Sequence, residues 1–208
     1  MTKKYLMNTH KAFLVYSSAL VVLFSFIFYG ADFIATKRNP KSIVFVLELG
    51  IPYVEWMFVI YFSVFLIPLV VYVKALNVDS IALWAQKMSI TMVIAGICFL
   101  IFPLENQFHK LNIERTEWVQ SLVSGIAGKY NLFPSLHVAL SVVTYLSFIT
   151  KLKSRSGLVF GSWLILIIIS TLLTHQHHIA DVVSGFFLAV AVNGIVNAKT
   201  RLKRYNQK

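Results

Sequence analysis

The sequence predicts an all-α, polytopic integral membrane protein: a bundle of six transmembrane helices with short interfacial helices on its non-cytoplasmic side. Three observations carry this. Of 208 residues, 58% are apolar and 13% charged, with a mean hydropathy of +0.74, whereas globular chains carry about a quarter charged residues. The apolar residues gather into runs close to the ~20 residues that a hydrocarbon core requires. None of these runs alternates as a barrel strand does, so helices are the way to satisfy the backbone in lipid.

The runs lie at 12–34, 53–73, 81–104, 132–150, 157–174 and 179–198. The first is too long and too aromatic for a signal peptide. No small-residue cleavage site follows Ala31-Asp32-Phe33, so a retained helix is expected. Before the second run, Ile43-Val44-Phe45-Val46-Leu47 is too short to cross and is expected in the interface until Pro52 restarts the chain. The third run carries Gln86 and Lys87 near its start, and its Cys98 can form no internal disulfide. The fourth opens at Pro134-Ser135, suited to the first turn of a helix. Gly157 and Gly161 on the fifth form a small-xxx-small step for close helix packing. Tyr53, Trp56, Trp84 and Trp163 read as interface anchors.

The longest connection, Glu105 to Asn131, repeats Ile113, Trp118, Leu122 and Ile126 at helical spacing. This predicts an amphipathic helix on the membrane, either a connector or a lid over the segment that follows. Nothing divides the chain, so residues 1–208 read as a single membrane domain.

With the N-terminus inside, 13 of the 19 basic residues fall on the inner side and seven of the eight acidic residues on the outer side. The positive-inside rule then places both termini in the cytoplasm, a layout that suits a bacterial inner membrane. The formal charge of +11 does not imply nucleic-acid binding, because the basic residues are scattered over helix ends rather than along a stripe.

Two polar strings stand out at run ends: Phe133-Pro134-Ser135-Leu136-His137, and Thr174-His175-Gln176-His177-His178-Ile179-Ala180-Asp181. The topology puts both at the outer membrane face. Ionisable residues there are costly and point to chemistry. A helix start with Ser135 favours an anion. His177 and Asp181, four apart, share a helical face, so the carboxylate can fix the ring tautomer and leave the other nitrogen free to attack.

These strings, with Ser170 seven residues before His177, resemble the type 2 phosphatidic acid phosphatase superfamily over about residues 50–198. The Phe-Pro-Ser-Leu-His and Thr-His-Gln-His-His forms look most like the branch containing inositol phosphorylceramide synthases. The resemblance implies a six-helix bundle that needs no metal or other cofactor. It also implies an enzyme acting on a lipid phosphate in the bilayer, either a phosphatase or a head-group phosphotransferase. It implies His177 as the nucleophile forming a phosphohistidine, Asp181 orienting it, His137 as general acid and Ser135 contacting phosphate. Such roles predict a bell-shaped pH dependence.

Two cations of the family pattern are missing. Thr171 stands where an Arg follows the serine, and Phe102-Pro103-Leu104-Glu105-Asn106-Gln107-Phe108-His109-Lys110 lacks an Arg-Pro. Lys129, Lys110, Arg115, His109 and His175 are the candidates to replace them, and Lys129 is the nearest to the site in sequence. Two other readings compete. One is a zinc site of His175, His177, His178 and Asp181, which the different directions of residues 177 and 178 on a helix disfavour. The other is a transporter or scaffold retaining a degenerate site.

Overall fold

The computed structural model describes residues 8–38, 40–41, 45–74, 77–110, 115–126, 128–149 and 154–207. Among these the helices are α1 (Thr9–Ala35), α2 (Met57–Phe62), α3 (Ile67–Lys74), α4 (Val78–Ile101), α5 (Glu117–Ile126), α6 (Leu136–Phe148), α7 (Ser154–Leu173) and α8 (Ile179–Tyr205). The described residues are all-helical apart from short 3-10 turns, an isolated bridge between Lys41 and Leu104, and the connections. α1, α4, α7 and α8 are long and apolar enough to cross a membrane.

The second and fourth runs give shorter elements. α2 and α3 are separated by a 3-10 stretch, Ser63–Leu66. Pro68 explains the break, since it has no N–H to donate and its ring excludes the carbonyl four residues earlier. α6 starts behind its Ser135 cap and has 13 residues, roughly 20 Å of helix against about 30 Å of hydrocarbon. α6 is therefore much shorter than α4 and α8, the helices of 24 and 27 residues beside it.

α4, α6 and α8 form the centre. Ala95, Phe99, Val138, Ala139, Val143 and Ala189 are buried there. Small residues set the approach of the other helices: Gly96 lies against Ile27 of α1, and a Cβ at Gly161 would sit 3.2 Å from the Tyr145 hydroxyl of α6. Lys87, 2% exposed, reaches across to Asn193 Oδ1 at 2.6 Å and Ser147 Oγ at 3.5 Å. A cation inside an apolar helix needs such partners. Trp84 and Trp163 differ from the anchor expectation: they donate to Thr144 and Ser63 on other helices, at 3.0 and 2.8 Å. Trp56 is exposed, as an anchor would be.

The expected helix in the long connection is α5, with a shifted buried face. Val119 and Val123 pack on Phe58 and Tyr61 of α2, while Trp118 is exposed. Ile113 lies outside the described residues. α5 therefore braces α2 from the side with one edge of a broad apolar stripe.

Backbone bonds collect the connections at a single end of the bundle. Tyr130 N–H donates to Asp32, Glu105 N–H to Lys41 O, and Val54 N–H to Leu173 O. Both polar strings sit at this end.

Candidate active site

Ser135 caps α6, its hydroxyl accepting from Val138 N–H at 3.4 Å. The first turn of a helix leaves N–H groups without intrahelical partners. The capping residue itself reaches the start of α8, its N–H donating to Asp181 O at 2.9 Å. Gly185 makes this approach possible: a Cβ there would lie 2.5 Å from the Ser135 carbonyl oxygen. The first string is thus fastened to the second through main-chain atoms.

The second string is a tight turn between α7 and α8. The N–H groups of Gln176 and His177 both donate to Thr171 O at 3.1 Å. His175 takes a left-handed backbone, φ 54°, which is uncommon for a residue with a Cβ and is held only where neighbours enforce it. Asn106 is one enforcer, donating to the carbonyls of His175 and Gln176 at 2.9 and 3.2 Å. The His175 Nε2–Ile51 O contact at 2.9 Å is another, and Phe108 stacks on the His175 ring at 4.2 Å. Burial, the nearby Arg115 and His178 together hold the His175 pKa below its ordinary value, the Ile51 carbonyl opposing them.

His137 and His177 come from separate helices, yet their ring centroids are 5.7 Å apart. His137 is half-buried, stacked on Tyr61 at 4.1 Å with the Tyr61 hydroxyl 3.4 Å from its Nδ1. His177 Nδ1 lies 3.6 Å from Asp181 Oδ2, beyond a hydrogen bond, and it has no hydrogen-bond partner among the described residues. Asp181 Oδ2 accepts from His178 N–H at 2.8 Å, leaving Oδ1 unpartnered. Two imidazoles and a carboxylate therefore lie close together between α6 and α8 with bonding capacity in reserve.

A family model described as the PAP2 superfamily matches residues 51–195. The chain belongs to the PAP2 superfamily. No curated protein and no solved structure matches it. Membership sets the chemistry in general terms, since PAP2 proteins are phosphatases or phosphotransferases.

Within the PAP2 match, the positions that lack the expected cations carry other duties. Thr171 donates its hydroxyl to Ile168 O at 2.7 Å and shapes the turn through its carbonyl. Asn106 sits where an Arg-Pro was sought and holds the same turn. Lys129 is exposed at the rim. Arg115 approaches deeper, its guanidinium 6.0 Å from the Tyr53 ring, which itself lies 5.6 Å from His175. Nε and Nη2 of Arg115 are buried and, among the described residues, make no hydrogen bond that meets normal geometry. The Tyr53 pKa is raised, by burial and then Glu55, against the opposing pull of Arg115. His109 and Lys110 fall in a 3-10 turn, Gln107–Lys110, on the same connection.

His175 and His178 each direct one ring nitrogen at a protein oxygen, Ile51 O and Glu48 Oε2 respectively, so the zinc reading needs their other nitrogens to converge. Among the described residues no group of three His, Cys, Asp or Glu side chains converges as a metal site.

Sequence reasoning missed Tyr61, Asn106, Phe108 and Glu48. Tyr61 and Phe108 are aromatic residues among many, and nothing in their spacing marks them. Glu48 had a signal: it is a lone acid between Leu47 and Leu49.

Proposed function

We propose that the protein is a membrane lipid phosphatase. It hydrolyses a phosphomonoester or pyrophosphate head group at the non-cytoplasmic face, through a phosphohistidine on His177. The observation that carries this is the 5.7 Å separation of the His137 and His177 rings, which suits two imidazoles flanking one phosphorus. His177 Nε2 attacks phosphorus as the bond to the lipid oxygen breaks. His137 gives its proton to that oxygen. Water then attacks the phosphohistidine, His137 takes a proton from it, and inorganic phosphate leaves. Asp181 orients His177 by closing the 3.6 Å gap, since apo geometry of this kind tightens on binding. Ser135 and the first turn of α6 hold the phosphate oxygens, with Lys129, His175 and Arg115 supplying polarity around them and Thr171 supporting through the turn.

In this reading residues 1–208 are one membrane domain of six spans. The two shorter elements, Met57–Val73 and Leu136–Phe148, complete the count, and both termini are cytoplasmic. The charge layout favours a bacterial inner membrane. A lipid alcohol in place of water would turn the same phosphoenzyme into a head-group transferase, as the likeness to the inositol phosphorylceramide synthase branch suggests.

The test is phosphate release from a panel of purified lipid phosphates, with and without an alcohol acceptor. Release that persists after EDTA treatment supports the phosphatase, and transfer to the alcohol supports the alternative. Neither product from any lipid phosphate would overturn the proposal.

A further inference from the structure

Glu48 belongs to a short 3-10 turn, Val46–Gly50, whose other large side chains face outward: Val46, Leu47 and Leu49 are 85%, 83% and 66% exposed. Glu48 itself is fully buried. A buried carboxylate must be hydrogen-bonded or paired to be tolerated, and both its oxygens are engaged. Oε2 meets His178 Nδ1 at 2.7 Å, and Oε1 accepts from Ile179 N–H at 2.7 Å. Ile179 is the first residue of α8, where free N–H groups and the helix dipole favour an anion.

The next contact along the same turn is Asp181 Oδ2 with His178 N–H at 2.8 Å. Two carboxylates thus divide the opening of α8 between them. Glu48 takes the Ile179 peptide and the His178 ring, and Asp181 takes the His178 peptide. His177 is the residue immediately before this fixed point. Its distance to Asp181 therefore depends on where His178 is held.

We infer that Glu48 is a positioning residue for the proposed nucleophile, fixing His178 and the first peptide of α8 so that His177 and Asp181 keep their working separation. Glu48 precedes the stretch matched to the PAP2 superfamily, residues 51–195, so the assignment rests on this chain's own geometry. Its catalytic consequence rests on the function proposed above. With Glu48 removed, the His178 ring keeps its Phe108 stack but loses its hydrogen bond, the first turn of α8 loosens, and His177 departs from in-line geometry. The lipid phosphate still binds, because its contacts lie at Ser135 and the rim.

The experiment compares Glu48→Gln, Glu48→Asp and His178→Gln with the parent and with Leu49→Ala, an exposed neighbour on the same turn. Glu48→Gln is expected to lower kcat roughly 10- to 100-fold, the scale of a small misplacement of a reacting group, with KM changed less than about two-fold. Glu48→Asp recovers part of the loss, and Leu49→Ala matches the parent. His178→Gln reproduces the loss, and the double variant is no worse than either single, as expected for residues acting through each other. Unchanged kcat in Glu48→Gln, or additive losses, would overturn the inference. Histidine-selective 15N spectra provide a readout independent of turnover. Glu48→Gln should alter the His178 ring signals and shift those of His177. If the parent hydrolyses no lipid phosphate, the functional reading fails while this positioning is still decided, unmoved His177 signals being the contrary result.

Discussion

Two carboxylate–imidazole pairs stand side by side at the start of α8, and they are built differently. Glu48 and His178 meet at 2.7 Å with both side chains sealed from solvent. Asp181 and His177 stand 3.6 Å apart, with His177 Nδ1 and Asp181 Oδ1 lacking partners. A buried carboxylate bonded through both oxygens, as Glu48 is, fixes a backbone, because any movement leaves a desolvated charge uncompensated. A pair with capacity in reserve can change its bonding when a ligand arrives. The contrast fits the proposed division between a positioning and a reacting residue among three histidines within four positions.

The largest effect should come from the loose pair. Asp181→Asn keeps the size and the contact to His178 N–H but removes the charge that, in the proposed function, orients His177. Turnover should fall about 10³- to 10⁴-fold, as in other carboxylate–histidine–nucleophile arrangements, with phosphate-analogue binding retained. A loss below about ten-fold would show that Asp181 serves only as a cap.

Next is the joint that brings the pairs to α6. Gly185→Ala drives a Cβ into the Ser135 carbonyl, and a displacement near 1 Å costs about 10²-fold in rate. Gly194 on the same helix has open space around it. Gly194→Ala should therefore leave turnover alone and stabilise by about 0.5–1 kcal/mol. Equal behaviour of the two variants in kcat and thermal unfolding would break the account of the α6–α8 contact.

The smallest effect concerns His175. The folded protein disfavours its protonated form, so below the ordinary value of about 6.5 the unfolded chain binds more protons. Stability is then lost as pH falls from about 6.5 toward the depressed folded value. His175→Asn, which tolerates the left-handed backbone, should flatten that part of the pH dependence of thermal unfolding. An unchanged slope would remove His175 as its source.

Much of the fold was legible because length and hydropathy dominate it. α1, α4, α7 and α8 follow directly from apolar runs. The brevity of α6 and the split between α2 and α3 were hidden, since run length does not register how Pro134 and Pro68 cut a helix. The two strings were legible as a site because chain direction alone placed them at one face. Glu48 was not, because its partner lies 130 residues away and only tertiary packing turns it inward while its neighbours face out. The face of α5 was also ambiguous: Val119 and Val123 or Trp118 could equally have marked its buried edge, and packing on α2 chose the valines.

The most direct measurement is acid-sensitive labelling during turnover of a 32P-labelled lipid phosphate, with the modified peptide sequenced. The account predicts alkali-stable, acid-labile phosphate on His177, absent from His177→Ala, and accumulating in His137→Ala when the leaving group needs no protonation. Parent-level turnover by His177→Ala, or label on another residue, would contradict it.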